Sequence, residues 1–221
     1  MSRTARPPAP VRPGQELSVA REHADCAVLG PGRRYAVWVQ GCSLRCSDCI
    51  SSQWLPFGGG VRVGVDELAG RILASGREGL TLSGGEPFEQ PDALVELIDL
   101  VRRGRDMSVM SFSGYTLERL RHTGNAGQRE LLSRLDILVD GPYLRDRHGD
   151  LAWRGSSNQR VHLLGDRHHP GEVPLQGVGL QVEITADAEV LWYGVPPYPG
   201  FRQAWERVYA PTAISRPEGD P

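Results

Sequence analysis

Three of the four cysteines fall within eight residues, as Cys42-x3-Cys46-x2-Cys49. Cysteine thiolates hold iron–sulfur clusters, ordinarily four to a cubane. A short loop with these spacings can wrap one 4Fe–4S cubane with three sulfurs and leave its fourth iron open to another ligand. Two other readings compete. A zinc ion could take the three thiolates and one histidine. None of His23, His122, His148, His162, His168 and His169 stands at a ligand-like spacing from the triplet, however. Buried cysteines are also common, so the clustering could be chance. Cys26 stands apart in an apolar context and reads as a core side chain without a role.

The other chemical signals are weaker alone. Ser83-Gly-Gly-Glu-Pro87 follows a short strand about 35 residues after the triplet, and on its own it reads as an ordinary strand-to-helix turn. The pair His168-His169 looks metal-like but sits in a Pro/Gly loop without partners, and reads as surface. Residues 165–221 contain no cysteine, which excludes a second cluster there.

The elements that must position these residues alternate. Arg34-Tyr-Ala-Val-Trp-Val-Gln40 is a nearly continuous apolar run, the pattern of a strand buried on both faces, and the cysteine loop follows it up to the glycines at 58–60. Val65, Leu68, Ala69, Ile72 and Leu73 recur at helical spacing before Gly76. A second helix carries Leu94, Leu97, Ile98 and Val101, with Pro91 near its start and Gly104 after it. Strands are expected at 80–82, 107–112 and 136–140, with a further one at 161–164. Helices are expected at 116–123 and 127–134, broken around Gly124. Such alternation implies parallel β/α units. An eight-unit barrel takes about 250 residues, so an α/β fold with a partial, open β/α barrel over 16–165 is expected. Residues 166–221 read as a loop, a small β-hairpin (181–185 with 189–193) and a short helix over 200–209. A tail follows over 211–221.

The chain has 221 residues, net charge −2 and 39% apolar content, ordinary for one soluble domain, and nothing global points to nucleic acid. The Pro- and Arg-rich residues 1–15 read as a disordered leader rather than a secretory signal. No run approaches the ~18 apolar residues of a membrane span. Close thiols without a signal peptide fit a reducing, cytoplasmic setting. All 25 basic residues are arginine, which suggests a GC-rich genome.

Taken in order, these segments resemble the radical S-adenosylmethionine superfamily, and within it the activases of anaerobic ribonucleotide reductase. Gly30-Pro-Gly32 leads into Val39-Gln-Gly-Cys42, and the cysteine triplet is the superfamily signature. Leu82-Ser-Gly-Gly-Glu-Pro87 and Ser113-Gly-Tyr-Thr116 follow. Val139-Asp-Gly141 with Arg154-Gly-Ser-Ser-Asn-Gln-Arg160 then complete the set. The resemblance covers about residues 28–164.

It implies one 4Fe–4S cluster on Cys42, Cys46 and Cys49, with S-adenosylmethionine on the open iron. The reduced cluster would cleave that cofactor to methionine and a 5′-deoxyadenosyl radical, which abstracts hydrogen. Glu86 would accept the methionyl ammonium, with Gly84 and Gly85 allowing close backbone approach. Asp48 and Ile50, either side of Cys49, would lie against the adenosyl portion. Ser111 and Ser113 would reach the cofactor carboxylate, and Asp140 would stand nearby; Asn158 and Arg160 belong to the matched segment without a stated role. The implied hydrogen donor is a glycine of a glycyl-radical enzyme such as anaerobic ribonucleotide reductase, and the implied electron source a flavodoxin- or ferredoxin-type donor. A radical enzyme modifying a peptide or small metabolite is the alternative on the same scaffold. A non-enzymatic zinc or electron-transfer protein is the alternative of another class.

Overall fold

A computed structural model describes residues 14–177, 179–187 and 190–209. Residues 1–13 of the expected leader and the expected tail at 211–221 lie outside the described residues, as does Glu189 of the expected hairpin.

The strand β1 (Glu16–Cys26) pairs antiparallel on both sides, with β2 (Arg34–Val39) and β3 (Val61–Gly64). Helix α1 (Val65–Ala74), β4 (Gly79–Gly84), α2 (Pro91–Gly104) and β5 (Ser108–Ser113) follow. Then come α3 (Leu117–His122), α4 (Ala126–Ser133) and β6 (Ile137–Asp140). Strands β2, β4, β5 and β6 run parallel and adjacent. A small pair, β7 (His148–Leu151) and β8 (Arg154–Ser156), precedes β9 (Arg160–Leu163), which joins the sheet antiparallel to β6. The result is one seven-stranded mixed sheet in the order β3-β1-β2-β4-β5-β6-β9. A separate hairpin of β10 (Leu180–Ile184) and β11 (Val190–Gly194) leads to α5 (Phe201–Tyr209).

Local chemistry explains the borders. Pro91 opens α2, and its Leu94, Leu97, Ile98 and Val101 stripe is fully buried. Thr116 caps α3 through Arg119 N, and an Asn125–Gln128 capping box starts α4, so the chain breaks at Gly124 as expected. Strand β2 is buried throughout because both its faces are covered. Tyr35, Val37 and Val39 pack under the helices, whereas Ala36 and Trp38 pack with Cys26, Val28, Leu29 and Tyr193 on the opposite face. That opposite face is the one the hairpin covers.

Four strands are not expected from the sequence: β1, β3 and the short pair β7 and β8. β1 carries charged residues and register shifts at Val19/Arg21 and His23/Cys26, which erase a period-two signal. β3 is four residues long, two of them exposed. The expected strand at 161–164 forms as β9, but antiparallel to its neighbour β6 and so to the four parallel strands. His168 is also no mere surface residue: its Nε2 lies 2.7 Å from Ser108 Oγ and its Nδ1 2.7 Å from Glu172, tying the 165–177 loop to the start of β5.

At the foot of the parallel strands the Arg34 guanidinium is 1% exposed. It donates to Thr81 Oγ1 (2.7 Å), Leu80 O (2.8 Å), Ser108 O (2.9 Å) and Pro31 O (3.1 Å). Burial lowers its pKa to about 10, which still leaves it charged at neutral pH. It staples the lead-in loop to β4 and β5. Among the described residues no helix is long and apolar enough to cross a membrane.

Candidate metal centre

The cysteine loop leaves β2 where the parallel strands end. Gly41 takes φ +99°, and its N–H donates to Trp54 O (2.9 Å) while Cys42 N donates to Leu55 O (3.0 Å). The loop is thereby closed at its neck. Cys49 N donates to Cys46 O (3.2 Å), and Arg45 adopts a left-handed φ of +46° between the first two thiols.

Gly84 and Gly85 fit this neck to the sheet. A Cβ on Gly84 would stand 2.3 Å from Val39 N and O, and its φ of +111° favours glycine as well. A Cβ on Gly85 would stand 2.3 Å from Gly41 O and 2.8 Å from Trp54 O. The absence of side chains therefore serves the protein's own backbone: Gly85 N donates to Val39 O (2.7 Å) and Glu86 N to Gly41 O (2.9 Å).

All three thiols line one cleft of about 340 Å³, together with Ile50, Gly84, Gly85, Glu86 and Ser113. Cys42 is buried, Cys46 and Cys49 are half-buried, and all are free. Burial pushes the Cys42 and Cys49 thiols up, so binding a metal there must displace protons. No histidine lines the cleft. Among the described residues, no three His, Cys, Asp or Glu side chains converge as a single ion would require. A donor set of three thiols on one loop, without a histidine, fits a cubane better than a zinc ion.

Glu86 is 1% exposed and its carboxylate is already occupied. Oε1 accepts from Phe88 N (3.0 Å) and Ser113 Oγ (2.9 Å), and Oε2 from Gly114 N (2.8 Å). Burial raises its pKa to about 7, against the pull of those donors. Ser113 in turn accepts from Tyr115 N (3.0 Å). Glu86 thus holds the turn after β5 against the turn after β4.

The remaining residues singled out from sequence stand off the cleft. Ser111 is fully buried and donates to Phe112 O (3.0 Å). Asp140 is fully buried and accepts from Leu117 N (2.6 Å) and from Arg160 (2.6 and 3.0 Å). Arg160 also binds Glu118 (2.7 and 3.0 Å), so this pair ties β6 and β9 to α3. Asn158 donates to Pro142 O (2.7 Å), bracing the turn after β6. Asp48 is exposed beside Arg145 (3.3 Å).

Several cleft residues carried no sequence signal. Trp38, Trp54, Tyr143 and Trp153 all line it, and Gln159 clamps Gly141 O (2.9 Å) from within the Asn-Gln-Arg segment. The β10–β11 hairpin supplies a further wall through Leu191 and Trp192.

A three-thiol loop at the mouth of such a cleft is the arrangement of a single-cluster iron–sulfur protein. Residues 28–162 match the family described as a 4Fe-4S single cluster domain, and the chain belongs to that family. It is 34% identical over 146 residues to the anaerobic ribonucleoside-triphosphate reductase-activating protein of Vibrio cholerae, covering 61% of this chain and 90% of that one. The protein of the same name from Escherichia coli is 34% identical over 152 residues, covering 62% and 92%. That from Enterobacteria phage T4 is 32% identical over 140 residues, covering 61% and 86%. Among solved structures, QueE from Escherichia coli aligns with a TM-score of 0.36 and 17% identity, over 46% of this chain and 53% of that one.

Proposed function

We propose that the chain is a radical S-adenosylmethionine enzyme that activates a glycyl-radical enzyme, anaerobic ribonucleoside-triphosphate reductase in the first place, by abstracting hydrogen from a glycine. One observation carries the reading: three free thiols of a single loop line an otherwise histidine-free cleft, in a chain matched over nine-tenths of the activating protein of Vibrio cholerae. Cys42, Cys46 and Cys49 would hold the cubane. When bound, cluster and S-adenosylmethionine together supply a one-electron cleavage that yields a 5′-deoxyadenosyl radical.

The chain's own residues do the positioning. Ile50, Gly84, Gly85 and Ser113 line the space the cofactor would fill, while Glu86 fixes the two turns that bound it. Asp48, Ser111, Asp140, Asn158 and Arg160 act at one remove, through the loops and strand ends they hold. With the cofactor seated, the aromatic walls would help to exclude water from it. The electron comes from a flavodoxin- or ferredoxin-type donor.

Anaerobic reconstitution with iron, sulfide and dithionite tests this. Incubation with S-adenosylmethionine is expected to release 5′-deoxyadenosine, and added reductase to give a glycyl-radical EPR doublet. A reconstituted, reduced protein that leaves S-adenosylmethionine intact refutes the enzyme reading. Cleavage without a doublet refutes the glycine target alone.

A further inference from the structure

A bulge in β1 aims one unpaired cation at the cleft. The register runs Val19↔Val39 and then Arg21↔Trp38, so β1 carries one residue more than β2 over this step. Cross-strand partners share a face, and Trp38 packs on the face opposite the helices, with Ala20 against it. Without the bulge, Arg21 would lie two residues from Val19 on the helix face; with it, Arg21 lines the cleft.

Its neighbours are engaged and it is not. Glu22 returns to the helix face and binds Arg71 (2.8 and 3.1 Å) and Tyr35 Oη (2.5 Å). His23 stacks on Tyr193 of the hairpin, centroids 4.1 Å apart, and faces Glu183 (3.0 Å). The Arg21 side chain has no hydrogen bond or ion pair among the described residues. Among the described residues it is also the one cationic side chain lining the cleft. The one acidic side chain there, Glu86, spends its oxygens on three local donors. A half-buried guanidinium between apolar walls lacks part of its hydration, and an anion brought to it gains accordingly.

The wall beside it is the hairpin. Gln181 pins that hairpin to the end of β1, accepting from Ala27 N (2.9 Å) and donating to Asp25 O (3.0 Å). Trp192 is held edge-on by Phe201 (4.8 Å) and Trp205 (5.1 Å) of α5. Arg21 and the hairpin both lie outside residues 28–162, the segment matched by the family. Specificity is expected to sit in such additions rather than in the shared core.

We propose that Arg21 and the β10–β11 hairpin form the recognition half of the cleft, and that Arg21 seats a carboxylate of the hydrogen donor. A carboxylate is favoured over a phosphate because one planar guanidinium matches it in bidentate fashion and no second cation among the described residues lines the cleft. The inference rests on the proposed radical chemistry and adds the chemical class of substrate.

The test uses the full reconstituted chain with Arg21→Gln and Arg21→Lys, thermal melts confirming that both fold. Succinate is the first probe, followed by the fluorescence of the cleft tryptophans. Wild type is expected to show a saturable change that Arg21→Gln loses. With the reductase as substrate, Arg21→Gln is expected to raise KM at least tenfold with a smaller change in kcat, and Arg21→Lys to recover part of it. Deuterated succinate labelling 5′-deoxyadenosine identifies a free carboxylate as the donor; a raised KM without label identifies a carboxylate on the protein partner. Succinate binding equally to wild type and Arg21→Gln, or a KM within twofold of wild type, overturns the inference. Failure of wild type to cleave S-adenosylmethionine is a separate result, which removes the radical chemistry itself.

Discussion

Substituting Gly85 with alanine is the sharpest probe of how the thiol loop is held. The new Cβ would stand 2.3 Å from Gly41 O, 2.7 Å from Gly41 C and 2.8 Å from Trp54 O, all of them backbone atoms. Reaching ordinary contact requires the Gly41 carbonyl to retreat by about 1 Å in an interior packed to crystal density. That carbonyl accepts from Glu86 N, and Trp54 O accepts from Gly41 N, each at 2.9 Å. Overpacking costs about 1–3 kcal/mol and a weakened backbone hydrogen bond about 1 kcal/mol. A destabilisation of about 2–4 kcal/mol is expected, or a fall in Tm on the order of 10 °C for a chain of this size.

Because Gly41 immediately precedes Cys42, the displacement reaches the cluster. Iron per chain after anaerobic reconstitution is expected to fall by at least half. Gly70→Ala is the control: a Cβ there meets nothing within 4 Å, Gly70 is exposed in α1, and alanine should stabilise by about 0.5–1 kcal/mol. A Gly85→Ala protein with wild-type Tm and full iron would show that the neck is not locked to the sheet by this contact.

Other perturbations separate ligands from supports. Cys46→Ala should lose the intact cluster, read as iron and as visible absorbance, whereas Cys26→Ser should keep it. Arg34→Gln strands the Leu80, Ser108 and Pro31 carbonyls and should cost about 3 kcal/mol in urea unfolding. Acid stability should depend on Arg160. Burial works to raise the Asp140 pKa, but Arg160, Leu117 N–H and His162 together outweigh it and lower the value. Arg160 brings Glu118 down to about 2. Both folded values lie below the unfolded ones, so this stabilisation is complete above about pH 5 and is lost as pH falls through the folded values. Arg160→Gln should therefore move the acid-unfolding midpoint upward, and an unchanged midpoint would refute the pairing.

The parallel strands and their helices were legible because burial on both faces writes continuous apolar runs, and helix packing writes a 3.6-residue stripe. The order of the cysteine loop, Gly-Gly-Glu turn and later segments was legible from motif alone. Strand parity was not. Ser111 shares its face with Val109, and Asp140 with Leu138, both in the core beneath the helices. Asp140 therefore points at the start of α3 rather than at the cleft. Ser113 has the same parity but ends its strand, where the chain turns at Gly114 and brings its hydroxyl to Glu86. Sequence gives alternation but not which alternate meets the helices. It also gives no sign of Arg21, whose facing depends on a bulge in a polar strand.

The Gly-Gly-Glu segment dissolves the choice between an ordinary turn and a ligand site. Its two glycines are required where β2 and the thiol loop press against β4, and its carboxylate is consumed in joining the turns after β4 and β5. Such a turn is structural in every contact it makes, yet the structure it builds is the floor under three thiols. A carboxylate with three protein donors retains one lone-pair direction at most for an incoming ammonium. Its larger effect is to hold Ser113 and the Gly114 amide in place before any cofactor arrives, so that the ordering cost is met in folding rather than in binding. The same residues can therefore be indispensable to a radical enzyme while touching the cofactor mainly through the backbone they fix.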